Sequence, residues 1–421
     1  MKSHPLRLLA GAGAAIALVA ALSGCSGDGG AGGTATLEFQ TAQAVDSPLY
    51  ASLKRITARF EKAHPDIRID LKTGDDSYES QMKVRLAAHN PPDLWATHGW
   101  SLLRYSAFLQ PLNDQPWAKH FNPVLAPAMK DKQGRFFALP VTTSASGLVI
   151  NTSVLEKAGV DPSTLGTWAG LQRAAQKVKA SGAVPFYLAG SKDGSSGNVI
   201  DWLAPGAFDT AELAGFASGK FQTGPYQDLL GVVEKMRTDG WVNPDYTSAT
   251  FDDMARAFAQ GKSAFALTSN FLINSAWKYD PDAKLTYVPI PAIDGSKPYL
   301  IGGEDTAFGA DRTGSHLQQA EEYLAFLAQP ANISAMADAV GNPPGLTNAK
   351  ADLGALTAPY KEYVASNAVP LRPFFDRVSL PNGMWETVVS TSDGVIAGQS
   401  SPSEGTAKMA ADFATLYKPS K

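Results

Sequence analysis

The sequence predicts an α/β protein in two domains, each built on a largely parallel sheet with helices on both faces. Three observations carry this reading. The chain has 421 residues, more than a single hydrophobic core usually serves. From residue 36 onward, short alternating or β-branched runs take turns with amphipathic helical stretches, the pattern of strands joined by crossover helices. Hydrophobic residues make up 44% of the chain and charged residues 18%, an ordinary globular composition.

The first segment is not part of that fold. Lys2 and Arg7 precede an apolar, Ala-rich run, Leu8–Leu22, which ends in Ser23-Gly24-Cys25. A basic start, a short apolar core and small residues before a break form an export signal, residues 1–24. The run is short and glycine-interrupted for a membrane span, which needs about 20 apolar residues. Leu22-Ser23-Gly24-Cys25 resembles the bacterial lipobox, whose cysteine receives a diacylglycerol and becomes the first residue of the mature protein. Cys25 is the one cysteine in the sequence, so no internal disulfide can form. The Gly-rich stretch after it, within residues 25–35, reads as a flexible leash. The expected location is the outer face of the cytoplasmic membrane.

The elements then follow in order. Thr36–Gln40 reads as a strand, and Ser47-Pro48 opens a helix with Leu49, Leu53, Ile56 and Phe60 on one face. Ile67, Ile69 and Leu71 alternate as a second strand, Tyr78–His89 is a helix, and Asp93–Thr97 a third strand. Leu148–Asn151 is a strand, and Thr167 caps a helix running to Gly182. Val184–Leu188 and Ala264–Thr268 are strands, with helices at Pro225–Asp239 and Phe251–Gln260 between them. Thr306–Ala310 is a strand, followed by helices at Leu317–Ala328, Met384–Ile396 and Glu404–Leu416. No internal repeat is evident.

Composition excludes several functions. Without Lys2 and Arg7 the mature chain holds 34 basic and 40 acidic residues, a balance near −6 that repels phosphate backbones. Nucleic acid is therefore not an expected partner. The six histidines (His4, His64, His89, His98, His120 and His316) show no metal-ligand pairing. No Gly-x-Ser-x-Gly elbow, phosphate loop or dinucleotide fingerprint occurs, and no cofactor is expected.

In open parallel sheets, ligands bind beyond the carboxyl ends of the strands. Here those turns are Ala42–Asp46, Gly74–Tyr78, His98-Gly99-Trp100, Lys192-Asp193 and Ser269-Asn270-Phe271. They are rich in carboxylates, amides and aromatics and poor in lysine and arginine. A sugar offers apolar C–H faces and a rim of hydroxyls, which suit flat rings and planar hydrogen-bonding groups.

Several stretches carry a family resemblance: Phe60 to Ile67, Pro91-Pro92-Asp93-Leu94, Leu139-Pro140 through Asn151, and Val154 to Val160 with Thr167-Trp168. Ala264 to Asn270, Gly302 to Ala307 and Ala325-Phe326-Leu327 continue it. In this order, behind a lipobox, the chain resembles the extracellular solute-binding proteins of family 1, which serve carbohydrate ABC importers. The resemblance implies a two-lobed periplasmic-binding-protein-like fold (type II, maltose-binding-protein-like) with hinge strands between the lobes. The expected lobes are 36–145 plus 305–345, and 146–304 plus 346–421. Crossover strands are expected near Ser144–Leu148, Thr306–Phe308 and Gly341–Gly345. The implied activity is capture of a mono- or oligosaccharide by hinge closure and delivery to the importer's permease subunits, by a monomer. Many members carry Gly-Ser-Trp or Gly-Asn-Trp where this chain has Ser269-Asn270-Phe271, so the platform there is either Phe271 or Trp277.

Candidate ligand contacts are Trp100, in the turn after the third strand, Trp202, Trp277 and Trp385; core or lobe packing is the competing role for each. Among polar groups the candidates are Gln43, Asp46, Asp76, Asp193, Asn270, Glu304, Asp305 and Arg372, with capping, hinge bracing or tail anchoring as the alternatives. Trp95, Trp168 and Trp241 read as structural. Two other readings stay open: a binding protein of the same fold for a non-sugar solute, and a secreted glycan hydrolase, whose carboxylates need not be close in sequence.

Overall fold

The fold is a computed structural model that describes residues 34–75, 77–190, 195–366 and 368–417. The expected export signal, Cys25, Asp76 and Asp193 lie outside the described residues. Twelve strands occur among those described: β1 (Ala35–Gln40), β2 (Ile67–Lys72), β3 (Leu94–Ala96), β4 (Leu139–Pro140), β5 (Thr143–Ser146), β6 (Leu148–Asn151), β7 (Val184–Phe186), β8 (Ser263–Ala266), β9 (Leu285–Val288), β10 (Leu300–Glu304), β11 (Ala307–Ala310) and β12 (Leu371–Arg372).

They form two lobes and a bridge. The first lobe's sheet has the order β2-β1-β3-β11-β4. Strand β1 runs parallel to both neighbours, whereas β11 enters antiparallel to β3 and β4. Its core packs Leu37 and Phe39 of β1 against Leu53 and Phe60 of the first helix, with Trp95, Phe308 and Tyr323. Phe39 meets Phe308 edge-on at 4.9 Å, the geometry the ring quadrupoles favour. The second lobe's sheet is β7-β8-β6-β9, and only β7 and β8 run parallel, so the expected largely parallel sheet is not found in this lobe. Its larger core draws Phe216, Tyr226 and Phe375 together with Val388, Met409 and Phe413, so the two C-terminal helices complete it.

Local chemistry explains the helix starts. Ser47 is extended and its hydroxyl accepts the Tyr50 N–H at 3.0 Å, capping Pro48–Ala63. Thr167 does the same for Gly170 at 3.1 Å ahead of Trp168–Ala180. The helix expected from Pro225 begins at Thr223, because a proline in the first turn removes an N–H that has no helical partner. The helix expected to reach His89 stops at Ala87, and His89 turns left-handed at φ 53°.

The third sheet, β12-β10-β5, joins the lobes. Strands β5 and β10 pair antiparallel through Ile301–Ser146 to Glu304–Thr143. The second crossover is therefore Leu300–Glu304 rather than Thr306–Phe308, which falls in the first lobe's sheet beside β4 and β3. Two adjacent glycines had masked it, since Gly302-Gly303 weakens a strand signal. Gly302 allows the close crossing, since a Cβ there would lie 2.3 Å from the Ser144 carbonyl oxygen, and Gly303 supplies a positive φ of 152°. The segment Gly341–Gly345 forms no strand, only a bridge from Pro344 to Thr142.

Candidate binding cleft

The carboxyl ends of β1, β2 and β3 carry three loops of the first lobe. The Thr41 hydroxyl donates to the Lys72 carbonyl at 2.9 Å, and the Gly74 N–H donates to the Gln43 carbonyl at 2.8 Å, so the first two loops are tied together. The Gln43 side-chain oxygen accepts the Ser47 hydroxyl at 2.9 Å, and Asp46 is exposed. The third loop turns sharply: His98 and Gly99 both have positive φ, 46° and 88°. A Cβ at Gly99 would lie 2.3 Å from the Arg377 guanidinium, so glycine leaves room for an arginine from the other lobe.

That arginine organises the approach of the two lobes. Arg377 lies 4.1 Å from the Phe374 ring and 5.2 Å from the Trp100 ring, and it donates to the Glu304 backbone carbonyl. Arg104 also lies over Trp100, at 4.2 Å, and its Nε donates to Asn382 Oδ1 at 2.9 Å across the cleft. Stacked guanidinium groups of this kind are favourable, more so as water is excluded. Glu79 holds Arg104 in place and takes the Tyr105 hydroxyl at 3.0 Å and His98 Nδ1 at 3.1 Å. Burial pushes the Glu79 carboxyl up, but the His98 hydrogen bond and the Arg104 charge outweigh it and hold it below the usual range.

Behind Arg377 two carboxyl groups are buried side by side. Asp201 is 3% exposed and Asp376 7%, and the Asp376 N–H donates to Asp201 Oδ1 at 2.9 Å. Burial and the adjacent Asp376 charge push the Asp201 carboxyl well above its ordinary range; burial raises Asp376 too, opposed by Arg377.

The second lobe contributes the turn after β8. Phe271 is 50% exposed and stacks on Phe251 at 5.9 Å. Asn270 Nδ2 donates to the Ala145 carbonyl at 2.9 Å, anchoring this turn to hinge strand β5. A recess beside it is lined by Ser146, Asn270, Tyr287, Asn342 and Tyr360. A second hollow, near Val154, Gly182 and Lys262, lies at the amino ends of β7 and β8, away from these loops.

The structure therefore gathers only part of the predicted set. Trp100, Gln43, Asp46 and Asn270 stand on loops after strands, and Phe271 opens the helix that follows Asn270. Trp385 is half-buried three residues after Asn382, which meets Arg104 of the other lobe. Trp202 is not at the surface: it is 3% exposed and packs edge-on against Phe374 at 5.3 Å. Trp277 closes the far end of its helix, about 9 Å of helical rise from Phe271, with its indole N–H bonded to the Ala283 carbonyl at 3.0 Å.

Three charged candidates are bound within the fold. Glu304 is fully buried, its two carboxylate oxygens taken by the hydroxyls of Thr97 and Ser101. Asp305 accepts the Thr142 hydroxyl at 2.8 Å and Asn342 Nδ2 at 2.9 Å, bracing the hinge. Arg372 donates to the Pro205 carbonyl and to Ser296 at 3.2 Å, and lies 4.7 Å from the Tyr299 ring, fastening the tail to the second lobe. The sequence reading missed Arg377, Asp376, Asp201, Arg104 and Glu79. The available signal was the dense run Arg372–Arg377, of which only Arg372 was weighed.

Trp100, Gln43 and Asp46 stand on strand-end turns of the first lobe and Asn270 and Phe271 follow β8 in the second, while Arg104 and Arg377 link the lobes beside Trp100. Among the described residues no three metal-ligating side chains gather, and no helix is long and apolar enough to cross a membrane.

Comparison with known proteins bears on the same point. The profile of the family described as "Bacterial extracellular solute-binding protein" matches residues 44–333. The melibiose/raffinose/stachyose-binding protein MelE of Bacillus subtilis is 30% identical over 392 residues, 92% of this chain and 91% of that one. A putative binding protein from Bacillus subtilis, solved in an open conformation, superposes with a TM-score of 0.84 at 30% identity, covering 92% of this chain and 98% of its own. A sugar transporter protein of Bacillus licheniformis, solved in complex with stachyose, superposes with a TM-score of 0.79 at 30% identity, covering 91% of this chain and all of its own. With its two lobes, its hinge sheet and these matches, the chain belongs to the bacterial extracellular solute-binding proteins.

Proposed function

We propose that this protein captures an oligosaccharide of the melibiose, raffinose and stachyose class between its lobes and passes it unchanged to the permease subunits of an ABC importer. The observation that carries this reading is the 30% identity, across nearly the whole of both chains, to a protein named for binding those three sugars. The cleft lining supports it. Trp100 and Phe271 offer flat faces for C–H surfaces, while Gln43, Asp46, Asn270 and Trp385 stand at the rim. Asp76 and Asp193 follow β2 and β7 in sequence and add two carboxylates to the candidate set. Residues 36–145 with 305–345, and 146–304 with 346–421, act as the two closing bodies. The protein works as a monomer, held at the outer face of the membrane by a lipid on Cys25.

Isothermal calorimetry against melibiose, raffinose, stachyose and maltose tests the reading. Saturable heat with at least one of the first three, and recovery of intact sugar afterwards, is expected. Heat only with a non-sugar solute would overturn it, and sugar cleavage would turn the reading toward the hydrolase.

A further inference from the structure

The buried carboxyl pair behind Arg377 is not accounted for by solute contact. Asp201 sits on the helix Ser195–Leu203 and Asp376 on the short helix Phe375–Val378. Asp376 Oδ1 is buried without a hydrogen-bond donor from any uncharged or basic group. The facing groups are few. From the short helix come Asp376 itself and Arg377, whose Nε is 4.0 Å from Asp376 Oδ1. Tyr226, on Thr223–Thr238, faces Asp201 with a buried phenol. The helix Trp385–Ile396 turns Thr387, Thr391 and Ser392 inward; its Glu386 is exposed and its Asp393 accepts the Tyr246 hydroxyl at 2.7 Å. The segments Ala204–Gly206 and Ala126–Met129 carry no titratable residue, and Arg104 of the first lobe acts on Asp376 through its charge. One guanidinium at the edge of the pair does not neutralise two buried carboxylates in contact. A proton on Asp201 removes the repulsion and supplies the donor that Asp376 lacks.

Asp376 is followed directly by Arg377, which reaches across to Glu304 and Trp100. Any displacement of Asp376 moves that arginine. We propose that Asp201 and Asp376 share one proton, and that this proton positions Arg377 as the tie between lobes, so that lobe geometry and solute affinity both become dependent on pH. Asp201 is thus a positioning residue, acting through Asp376 and Arg377. Loss of the proton as pH rises sets two like charges against each other and withdraws Arg377 from Trp100. The affinity half of this inference rests on the proposed sugar binding; the lobe half does not.

The experiment compares the mature wild-type protein with Asp201→Asn, Asp376→Asn and Arg377→Lys. Small-angle scattering of the sugar-free protein is recorded from pH 6 to pH 10, together with raffinose affinity by calorimetry over the same range. In the wild type the scattering profile changes with rising pH and raffinose affinity falls, by up to about tenfold per pH unit beyond the point of proton loss. Asp201→Asn carries a fixed donor and shows neither change; Asp376→Asn likewise loses the pH response. Arg377→Lys removes the planar stack and gives the wild type's high-pH profile at every pH. Superimposable wild-type and Asp201→Asn pH profiles, with Asp376→Asn the same, would overturn the inference. Absence of heat with melibiose, raffinose and stachyose at every pH, with the scattering response present and abolished in Asp201→Asn, would overturn the sugar reading and leave the proton-sharing pair standing.

Discussion

Replacing Glu304 with alanine tests how firmly the hinge is tied to the cleft. The side chain is 0% exposed and comes from β10. It accepts the Thr97 hydroxyl, the Ser101 hydroxyl and, at 3.2 Å, the Ser101 N–H. These residues bracket Trp100, so one carboxylate holds the loop that presents the ring. After truncation the Thr97 hydroxyl still reaches the Ala307 carbonyl at 3.3 Å, but both Ser101 donors lose their partner. Each orphaned buried donor costs about 1–3 kcal/mol, and the relieved desolvation of the carboxyl offsets part of the total. A net loss of about 3 kcal/mol lowers the midpoint of thermal unfolding by roughly 6–12 °C for a lobe of this size.

Glu304→Gln keeps the shape and one acceptor, and loses less, about 1–2 kcal/mol. Its deficit depends on pH in a defined direction. Burial raises the Glu304 carboxyl above its ordinary 4.5, against the pull of Ser101 and Thr97. A group raised on folding contributes stability that is fully present below pH 4.5 and is lost as pH climbs through the folded value. The gap between wild type and Glu304→Gln therefore narrows as pH rises through that window. Circular-dichroism melts at several pH values provide the assay. An alanine variant melting within about 1 °C of wild type, or a gap that widens with pH, would refute the reasoning.

Three further outcomes are expected. Phe271→Ala, at a half-exposed ring, weakens raffinose binding about 2- to 12-fold by calorimetry, the equivalent of one aromatic contact of about 0.5–1.5 kcal/mol, and leaves the melting temperature nearly unchanged. Arg372→Ala lowers stability by about 1–3 kcal/mol in urea unfolding, because it unties the tail from Pro205 and Ser296, yet changes raffinose affinity by less than about twofold. Cys25→Ser shifts the protein from the membrane fraction to the medium and abolishes incorporation of labelled palmitate, measured by fractionation and fluorography.

Much of the architecture was legible because it rests on local rules. The caps at Ser47 and Thr167, the alternation in β2 and the apolar run of β6 each announce their element within a few residues. The strands that were missed, β9, β10 and the two-residue β4 and β12, are short, glycine-bearing or held mainly by distant partners. Their pairing partners are distant in sequence, β6 for β9, β11 for β4 and the hinge strands for β10 and β12, and no local window contains them. The candidate site divides in the same way. Trp100 and Phe271 follow closely after strands, where one topological rule finds them. Arg377, Asp376 and Asp201 converge from segments some 175 residues apart, and only the fold brings them together. Glu304 illustrates the opposite error: a carboxylate at a crossover suggested solute contact, but two hydroxyls of a neighbouring loop consume it.

The central claim is that two lobes close on a sugar. Its most direct measurement is the distance between spin labels in the mature protein with Cys25→Ser, Lys83→Cys on the first lobe and Lys278→Cys on the second, both exposed positions. Saturating raffinose or stachyose is expected to move the distance distribution as a whole to a new, narrower position, reversed on dialysis, while maltose leaves it in place. Calorimetric binding of raffinose with an unchanged distribution would contradict the account.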